Sequence, residues 1–163
     1  MPMLDAFIPQ GALPVEAEEK LLATLTDILI HHEGADPSNP AVRSIAWIFV
    51  HRPAAVFVAG APATEPRYRF IPSVPEGQFT DERRRTMVEA ITEAVLDAEA
   101  GAHSRDPMRV WVFPNEVPDG TWGGGGRIHT LADIAGFAFG DREKGRAYAE
   151  QVLAGRRGTP VAV

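Results

Sequence analysis

The chain has 163 residues, 16 basic and 22 acidic side chains for a formal net charge of −6, and 45% hydrophobic residues. This length suits one domain or two small units that share a core, and an acidic chain without a dense basic cluster is not expected to bind nucleic acid. Cysteine is absent, which excludes disulfides, thiolate nucleophiles and cysteine-ligated zinc and favours a cytoplasmic location.

The N-terminal segment has neither the basic start nor the apolar stretch of a signal peptide, because acidic residues such as Asp5, Glu16 and Glu18 interrupt it. No apolar run approaches the roughly 18 residues of a membrane span. We therefore expect a soluble protein that does not interact with a membrane.

The first predicted strand runs from Met3 to Ile8, directly after Pro2. Initiator methionine is normally removed when a small residue follows it, so the mature chain is expected to begin with the secondary amine of Pro2. An α-amino group titrates near ~7.7–8.0, and an apolar pocket or a nearby cation lowers that pKa towards the range where a general base works best. Pro2 is therefore a candidate catalytic base, the alternative being a merely rigid first residue.

Two segments of the chain repeat at a shift of 66 residues, which places Pro9 on Pro75 and Gly11 on Gly77. The same shift superimposes two amphipathic patterns with apolar residues at i, i+3 or i+4, and i+7. They predict one helix from Pro14 to Glu33 or Gly34 and another that follows the N-cap Thr80 and ends near Ala98 or Glu99. The apolar positions are Leu21, Leu22, Leu25, Ile28 and Leu29 in the first helix, and Met87, Val88, Ile91, Ala94 and Val95 in the second.

After each helix a second β-rich run occurs, over residues 45–49 and 109–113, followed by a possible hairpin at 54–60 and 119–126. Helices of ~16–19 residues between strands suit right-handed crossovers between parallel strands. We predict an α+β fold in which a tandem βαβ repeat forms a four-stranded mixed sheet with two helices on one face and short hairpins.

The predicted domain organisation is a single domain, 1–163, built from repeats at 2–60 and 67–127 and a C-terminal helical extension at 128–163. Within the extension, one helix is predicted from Asp141 to Leu153, with Tyr148 and Val152 in its apolar stripe. The segment from Arg156 to Val163 is expected to be a frayed tail.

Three features occur in order along the chain: Pro2 opens a strand, a βαβ unit is doubled, and residues 109–118 precede a Gly-rich hairpin. This order resembles the tautomerase superfamily, which contains 4-oxalocrotonate tautomerase, macrophage migration inhibitory factor and cis-3-chloroacrylic acid dehalogenase. The resemblance covers roughly residues 2–127. It implies a homotrimer with Pro2 in a pocket at a subunit boundary, no cofactor, and a small carboxylic or keto acid substrate. The Pro2 amine would then move protons between carbon and oxygen of an enol, keto or unsaturated acid.

Several polar residues that the resemblance implies are not matched. Positions where relatives carry polar side chains facing the proline hold Trp111 and Phe113, and the arginine after the first Pro-x-Gly turn is replaced by Ala12. The dehalogenase's arginine pair would fall at Pro75 and Gln78, so dehalogenation is not expected. The alternative function is therefore a trimeric family member that has lost catalysis and acts as a binding or structural protein.

Four residues are candidates for binding the substrate: Arg109, Trp111, Phe113 and Arg127. Arg127 follows the glycine run and is free to meet a carboxylate bidentately, the alternative being a surface charge. Arg109 is expected to alternate with the two aromatic residues on one strand face, the alternative being a charge at the edge of the strand. Both aromatic side chains are candidate walls that would desolvate the Pro2 amine.

Metal and nucleotide sites are not expected. Five histidines without regular spacing or nearby carboxylates make no metal site, and His51 is treated as structural, with a proton carrier as the alternative. His31 and His32 are expected to be solvated at the end of the first helix. The run Gly123–Gly126 lacks the Gly-Lys-Ser/Thr of a nucleotide-binding loop.

Overall fold

The computed structural model describes residues 2–157, without the side chains of residues 156 and 157. Its elements in chain order are β1 (Met3–Phe7), α1 (Val15–Glu33), α2 (Pro40–Ser44), β2 (Trp47–His51), β3 (Phe57–Val58), β4 (Ala61–Pro62), β5 (Tyr68–Pro75), α3 (Asp81–Ala98), β6 (Val110–Val112), β7 (Asn115–Val117), β8 (Trp122–Gly124), β9 (Arg127–His129), α4 (Leu131–Phe139) and α5 (Arg142–Arg157).

The central sheet has the strand order β2-β1-β5-β6, and the short β7 also pairs with β5. Strands β2 and β1 are parallel, β1 and β5 are antiparallel, and β5 and β6 are parallel. The predicted α+β fold with a four-stranded mixed sheet is confirmed, and the long crossovers through α1 and α3 supply the two parallel pairings.

Helices α1 and α3 cover one face of the sheet, as predicted. Of the predicted apolar positions, Leu21, Leu25 and Leu29 in α1 and Met87, Ile91 and Val95 in α3 are buried with strand residues such as Leu4 and Phe70, and the other four are partly buried. Each buried apolar side chain of this size contributes roughly 1.5–3 kcal/mol. The ends of the helices have local causes: the Thr80 side chain accepts a hydrogen bond from the Arg83 backbone amide, and Gly34 ends α1 with a φ of 91°.

The two repeats are related by a twofold axis through the middle of the sheet. The shift of 66 makes Met3 equivalent to Arg69 and Phe7 equivalent to Ser73. In the sheet, Met3 is opposite Ser73, Phe7 is opposite Arg69, and Asp5 is opposite its own equivalent, Ile71. The hairpins follow the same relation along the chain: the β3–β4 hairpin comes after β2 in the first repeat, and the β8–β9 hairpin comes after β7 in the second. The sheet therefore has two equivalent ends, one at Pro2 and one at Tyr68.

The C-terminal extension differs from the prediction, because it contains two helices rather than one. Helix α4 begins with a capping box, in which Thr130 and Asp133 exchange side-chain and backbone hydrogen bonds. Gly136 and Gly145 bring α4 and α5 close together, since a Cβ at Gly145 would lie 2.3 Å from the Gly136 nitrogen. Of the predicted tail, residues 158–163 lie outside the described residues, as does Met1.

The extension also packs onto the two repeats. The Asn39 amide donates to the Ala138 carbonyl at 3.1 Å, and the Tyr148 hydroxyl donates to Gln78 Oε1 at 2.9 Å. Gly77, in the second Pro-x-Gly turn, has a positive φ of 86° and leaves room for Val152. Within the part of the chain that the structure describes, no helix is both long and apolar enough to cross a membrane.

Candidate active site at Pro2

Pro2 lies in the wall of a cavity of about 1250 Å³ at one end of the sheet. The residue is buried, and its carbonyl accepts a hydrogen bond of 3.2 Å from the Trp47 backbone amide. This bond continues the pairing of β1 with β2 by one residue and fixes the start of the chain. Pro2 is thereby held by the sheet itself.

Aromatic residues line the strand side and the hairpin side of this cavity. Trp47 and Phe49 project from the helix-free face of β2, where they are 62% and 46% exposed, and their rings meet edge to face at 6.3 Å. Trp122, at the start of β8, also lines the cavity. These side chains make the surroundings of Pro2 largely apolar on two sides.

The third side of the cavity is cationic. Arg127 from β9 and Arg142 and Arg146 from α5 all line it. Arg146 is 3.4 Å from Glu143, whereas Arg127 and Arg142 form no ion pair with another residue described by the structure. Three guanidinium groups around one cavity suit a carboxylate ligand, which arginine binds bidentately.

Two carboxylates also line the cavity, but both are engaged at the ends of helices. Asp133 belongs to the capping box of α4; the hydrogen bonds from the backbone and side chain of Thr130, with a smaller effect of His129 and Arg127, lower the pKa of its carboxyl. Asp141 accepts from the backbone amides of Glu143 at 3.0 Å and Lys144 at 3.1 Å. The arginines therefore retain free donors for a ligand.

Comparison with known proteins gives one family and many related structures. Residues 73–131 match the family model described as Tautomerase enzyme. The resemblance to the tautomerase superfamily is thereby confirmed. No curated protein matches the sequence.

Three solved structures illustrate the similarity to this superfamily. A symmetric trimer of wild-type fused 4-OT is 21% identical, with 81% of this chain and 98% of that chain covered and a TM-score of 0.63. N1, a member of the cis-3-chloroacrylic acid dehalogenase family, is 21% identical over 77% and 82%, with a TM-score of 0.62. Pt0534 inactivated by 2-oxo-3-pentynoate is 21% identical over 77% and 94%, with a TM-score of 0.61. At these identities the structures establish the tautomerase fold.

Arg109 does not line the pocket that contains Pro2, which corrects its proposed position beside Trp111 and Phe113 on one exposed strand face. Strand β6 begins one residue later, and the Arg109 side chain is fully buried in a bidentate ion pair with Glu99. Its guanidinium also donates to the Ser104 and Pro66 carbonyls. Because these bonds occupy the guanidinium, Arg109 has a structural role in this tautomerase fold.

The two predicted aromatic walls also lie away from Pro2 within one subunit. Trp111 is opposite Arg69 on β5, at the other edge of the sheet from β2, and Trp111 and Phe113 form their own edge-to-face pair at 6.3 Å. They are the repeat equivalents of Trp47 and Phe49, the pair that the structure places near Pro2. The equivalence of Trp47 and Trp111 in the repeat was the signal that could have located the correct pair.

The histidines form no metal centre: within the described residues, no group of three or more potential ligands is close enough to hold an ion. The expectation that carboxylates are absent near histidine is wrong for His51, whose Nε2 lies 2.6 Å from Asp5 Oδ1. Its ring also stacks on Phe7 at 4.4 Å. His32 is half-buried rather than solvated, with Nδ1 2.7 Å from the Ile28 carbonyl.

Proposed function

We propose that this protein is a tautomerase-like enzyme that uses the amine of Pro2, freed by removal of Met1, as general acid and base on a small enol, keto or unsaturated acid. The observation that carries the proposal is the position of Pro2 in a cavity with aromatic walls on two sides and three arginines on the third. Burial and neighbouring cations both disfavour a protonated amine, so this site favours a neutral, basic Pro2 at physiological pH.

The proposed reaction moves one proton within the bound acid. Arg127 and Arg142 hold the substrate carboxylate, with Arg146 beside them, and so orient the reacting atoms towards Pro2. The neutral amine takes the proton from the enol hydroxyl, and the resulting secondary ammonium returns it to the carbon that becomes saturated in the keto form. The positive charges of the arginines stabilise the enolate that forms between these two steps.

Assembly into a homotrimer is part of the proposal. The helix-free face of the sheet exposes four aromatic side chains, at Trp47, Phe49, Trp111 and Phe113. An apolar face of this kind is typical of a surface between subunits, and three of the related structures with this fold are described as fused 4-OT trimers. A trimer would also place the cavity at Pro2 close to a neighbouring subunit.

The alternative is a trimeric family member that binds a ligand without catalysis. The observation in its favour concerns Gln78, which occupies a position where relatives have an arginine. Gln78 is buried, its Oε1 accepts the hydroxyl proton of Tyr148, and its Nε2 has no hydrogen-bond partner. It is not among the residues that line the cavity at Pro2, and among the described residues the arginines of that cavity come from α5 and β9.

Labelling with 2-oxo-3-pentynoate tests the proposal, because this compound inactivates the related Pt0534. A neutral secondary amine adds to the activated triple bond, forming a nitrogen–carbon bond and retaining all atoms of the reagent. We expect an intact mass without Met1 that rises by one reagent molecule, with the label on Pro2. Retention of Met1, or labelling that avoids Pro2, would favour the non-catalytic alternative.

A further inference from the structure

The twofold relation of the repeats creates a second cavity at the other end of the sheet. This cavity has a volume of about 730 Å³ and lies beside Tyr68, the first residue of β5 and the repeat equivalent of Pro2. Trp111 occupies the place of Trp47, and the β3–β4 hairpin occupies the place of the β8–β9 hairpin. The second cavity is therefore lined by repeat equivalents of residues and elements that line the first.

The second cavity lacks a group that could replace the amine of Pro2. The nitrogen of Tyr68 is an internal peptide amide, and its hydroxyl donates to Glu99 at 2.9 Å. Burial, and then the hydrogen bond and charge of Glu99, raise the pKa of the Tyr68 hydroxyl far above its ordinary value. A protonated phenol buried in a hydrogen bond is not a general base at neutral pH.

The lining of the second cavity combines cations with a broad apolar surface. Arg67 and Arg69 both line it, and Nη1 of Arg67 is buried without a hydrogen-bond partner. Arg69 lies with its guanidinium 3.9 Å from the centre of the Phe7 ring. The apolar lining residues include Phe57, Val58, Met108 and Trp111.

The nearby carboxylates are bonded to other groups. Asp106 accepts from the Met108 backbone amide at 2.9 Å, and both oxygens of Glu65 accept from Ser104 at 2.7 Å. Glu99 is bound by Arg109 and Tyr68. A buried donor without a partner destabilises the folded state, so Arg67 Nη1 is a donor that a ligand oxygen would satisfy.

We propose that the cavity beside Tyr68 is a second, non-catalytic binding site for a small monocarboxylic acid with an apolar body. The carboxylate pairs with Arg67, whose planar guanidinium suits bidentate contact. The apolar body of the acid lies between Trp111 and the β3–β4 hairpin. The site accepts the chemical class expected at Pro2, yet it does not depend on catalysis there.

Tryptophan fluorescence separates the two cavities, because the chain has three tryptophans and only Trp111 lines the second one. In the variant Trp47→Phe/Trp122→Phe, we expect phenylacetate to change Trp111 fluorescence saturably. Adding Arg67→Gln should raise the apparent Kd about 10-fold or more, since it removes a charge-assisted hydrogen bond. The matched control Arg85→Gln, on an exposed position of α3 that lines neither cavity, should leave the Kd unchanged.

A second measurement avoids replacing the two tryptophans. In otherwise wild-type protein, the indole N–H resonance of Trp111, assigned with Trp111→Phe, should shift on addition of phenylacetate and should lose this response in Arg67→Gln. Pro2→Ala should bind at Trp111 as the wild type does, which separates this proposal from the proposed catalysis. An unresponsive Trp111, or a response that is the same without Arg67, would overturn the second site.

Discussion

Glu99 is the acidic centre of a buried cluster that joins α3 to the start of β6. Its carboxylate binds Arg109 and Tyr68, and the side chains of Glu99 and Arg109 are 2% and 0% exposed. Burial alone would raise the pKa of Glu99, but the hydrogen bonds from Arg109 and Tyr68 and the charge of Arg109 outweigh it and lower the pKa. Glu99 is therefore ionised in the folded state wherever these two partners are in place.

Glu99→Gln should lower the free energy of unfolding by about 3 kcal/mol near pH 7, because it leaves the buried Arg109 without a countercharge. A carboxyl whose pKa is depressed in the folded state contributes stability above its unfolded pKa of roughly 4.3, and this contribution is lost as the pH falls through the folded pKa. The difference between wild type and variant should therefore shrink in acid. Urea unfolding at several pH values measures it.

The control for this measurement is Glu89→Gln, at an exposed position of the same helix. Its free energy of unfolding should stay within about 0.5 kcal/mol of the wild type. An equal and small effect of the two substitutions at pH 7 would show that the Arg109–Glu99 pair does not stabilise the fold.

Arg127→Gln should reduce kcat/KM for phenylenolpyruvate about 10- to 100-fold, since the variant loses a charge-assisted hydrogen bond of roughly 1.5–3 kcal/mol to the carboxylate. The loss should appear mainly in KM, because in the proposed reaction Arg127 binds the acid and Pro2 moves the proton. Steady-state kinetics on phenylenolpyruvate check it, with Arg85→Gln as the exposed control. An unchanged KM would show that Arg127 does not bind the substrate and is a surface charge.

Single residues also show how far the sequence could specify the site. Pro2 is the predicted base and Arg127 one of the four predicted substrate-binding residues, and both line one cavity. Arg142 and Arg146 were missed because the extension was placed outside the repeats. The position of Arg109 was wrong because alternation along a strand does not reveal that Glu99, at the end of the preceding helix, is close enough to bury the guanidinium.

At the scale of elements, α4 and α5 form the wall that brings cations to Pro2. Their separation depends on Gly145, where a Cβ would be 2.3 Å from the Gly136 nitrogen and 2.7 Å from the Ala132 carbonyl oxygen. The contact is between backbones, so an added methyl group can be accommodated only by moving one helix. Arg142 and Arg146 would move with α5.

Gly145→Ala should therefore destabilise the fold by about 1–3 kcal/mol, as overpacking does, and raise KM for phenylenolpyruvate. Gly155→Ala is the matched control, because it lies in the same helix with nothing within 4 Å of the added Cβ. That variant should be neutral, or more stable by up to about 1 kcal/mol from helix propensity. Thermal unfolding and KM should be measured on both variants. Equal stability and equal KM in the two variants would contradict the close contact of the two helices.

The long helices were predictable because their apolar spacing spans several turns and their ends carry Thr80 and Gly34. Helix α4 was not predicted, since its nine residues are too few to show a clear period. Its sequence signal was the capping box from Thr130 to Asp133. Strand β7 was missed because it contains three residues and depends on pairing with β5, a contact of long sequence separation.

At the scale of the whole molecule, residues 3–7 of β1 pair antiparallel with residues 69–73 of β5, the same residues that the repeat shift of 66 makes equivalent. Two equal βαβ units that share a sheet place their equivalent strands side by side. The sequence could not show which face of the sheet would lie between the subunits of the proposed trimer, because alternation along a strand distinguishes two faces but does not say what covers each of them. The exposed aromatic pairs Trp47–Phe49, on β2, and Trp111–Phe113, at the end of β6, mark the candidate face.

The proposed trimer should have a mass of about 53 kDa, three times the 17.7 kDa of one chain. Replacing Phe49 and Phe113 by glutamate places two charges on the aromatic face, where desolvating them is costly, so this variant should have a smaller mass in light scattering. The control Thr24→Glu, at an exposed position of α1, should leave the assembly unchanged. A wild-type monomer at micromolar concentration would contradict the assembly.

The general base at Pro2 is the central claim, and one measurement tests it most directly: kcat/KM for phenylenolpyruvate as a function of pH, for the wild type and for Pro2→Ala. Alanine at position 2 also permits removal of Met1. The variant chain therefore begins at the same residue as the wild type, but with a primary amine in place of the secondary amine of proline. We expect a loss of about 10²-fold or more, a shifted pH profile and an unchanged fold by circular dichroism. Wild-type rates with the same pH dependence in Pro2→Ala would contradict the account.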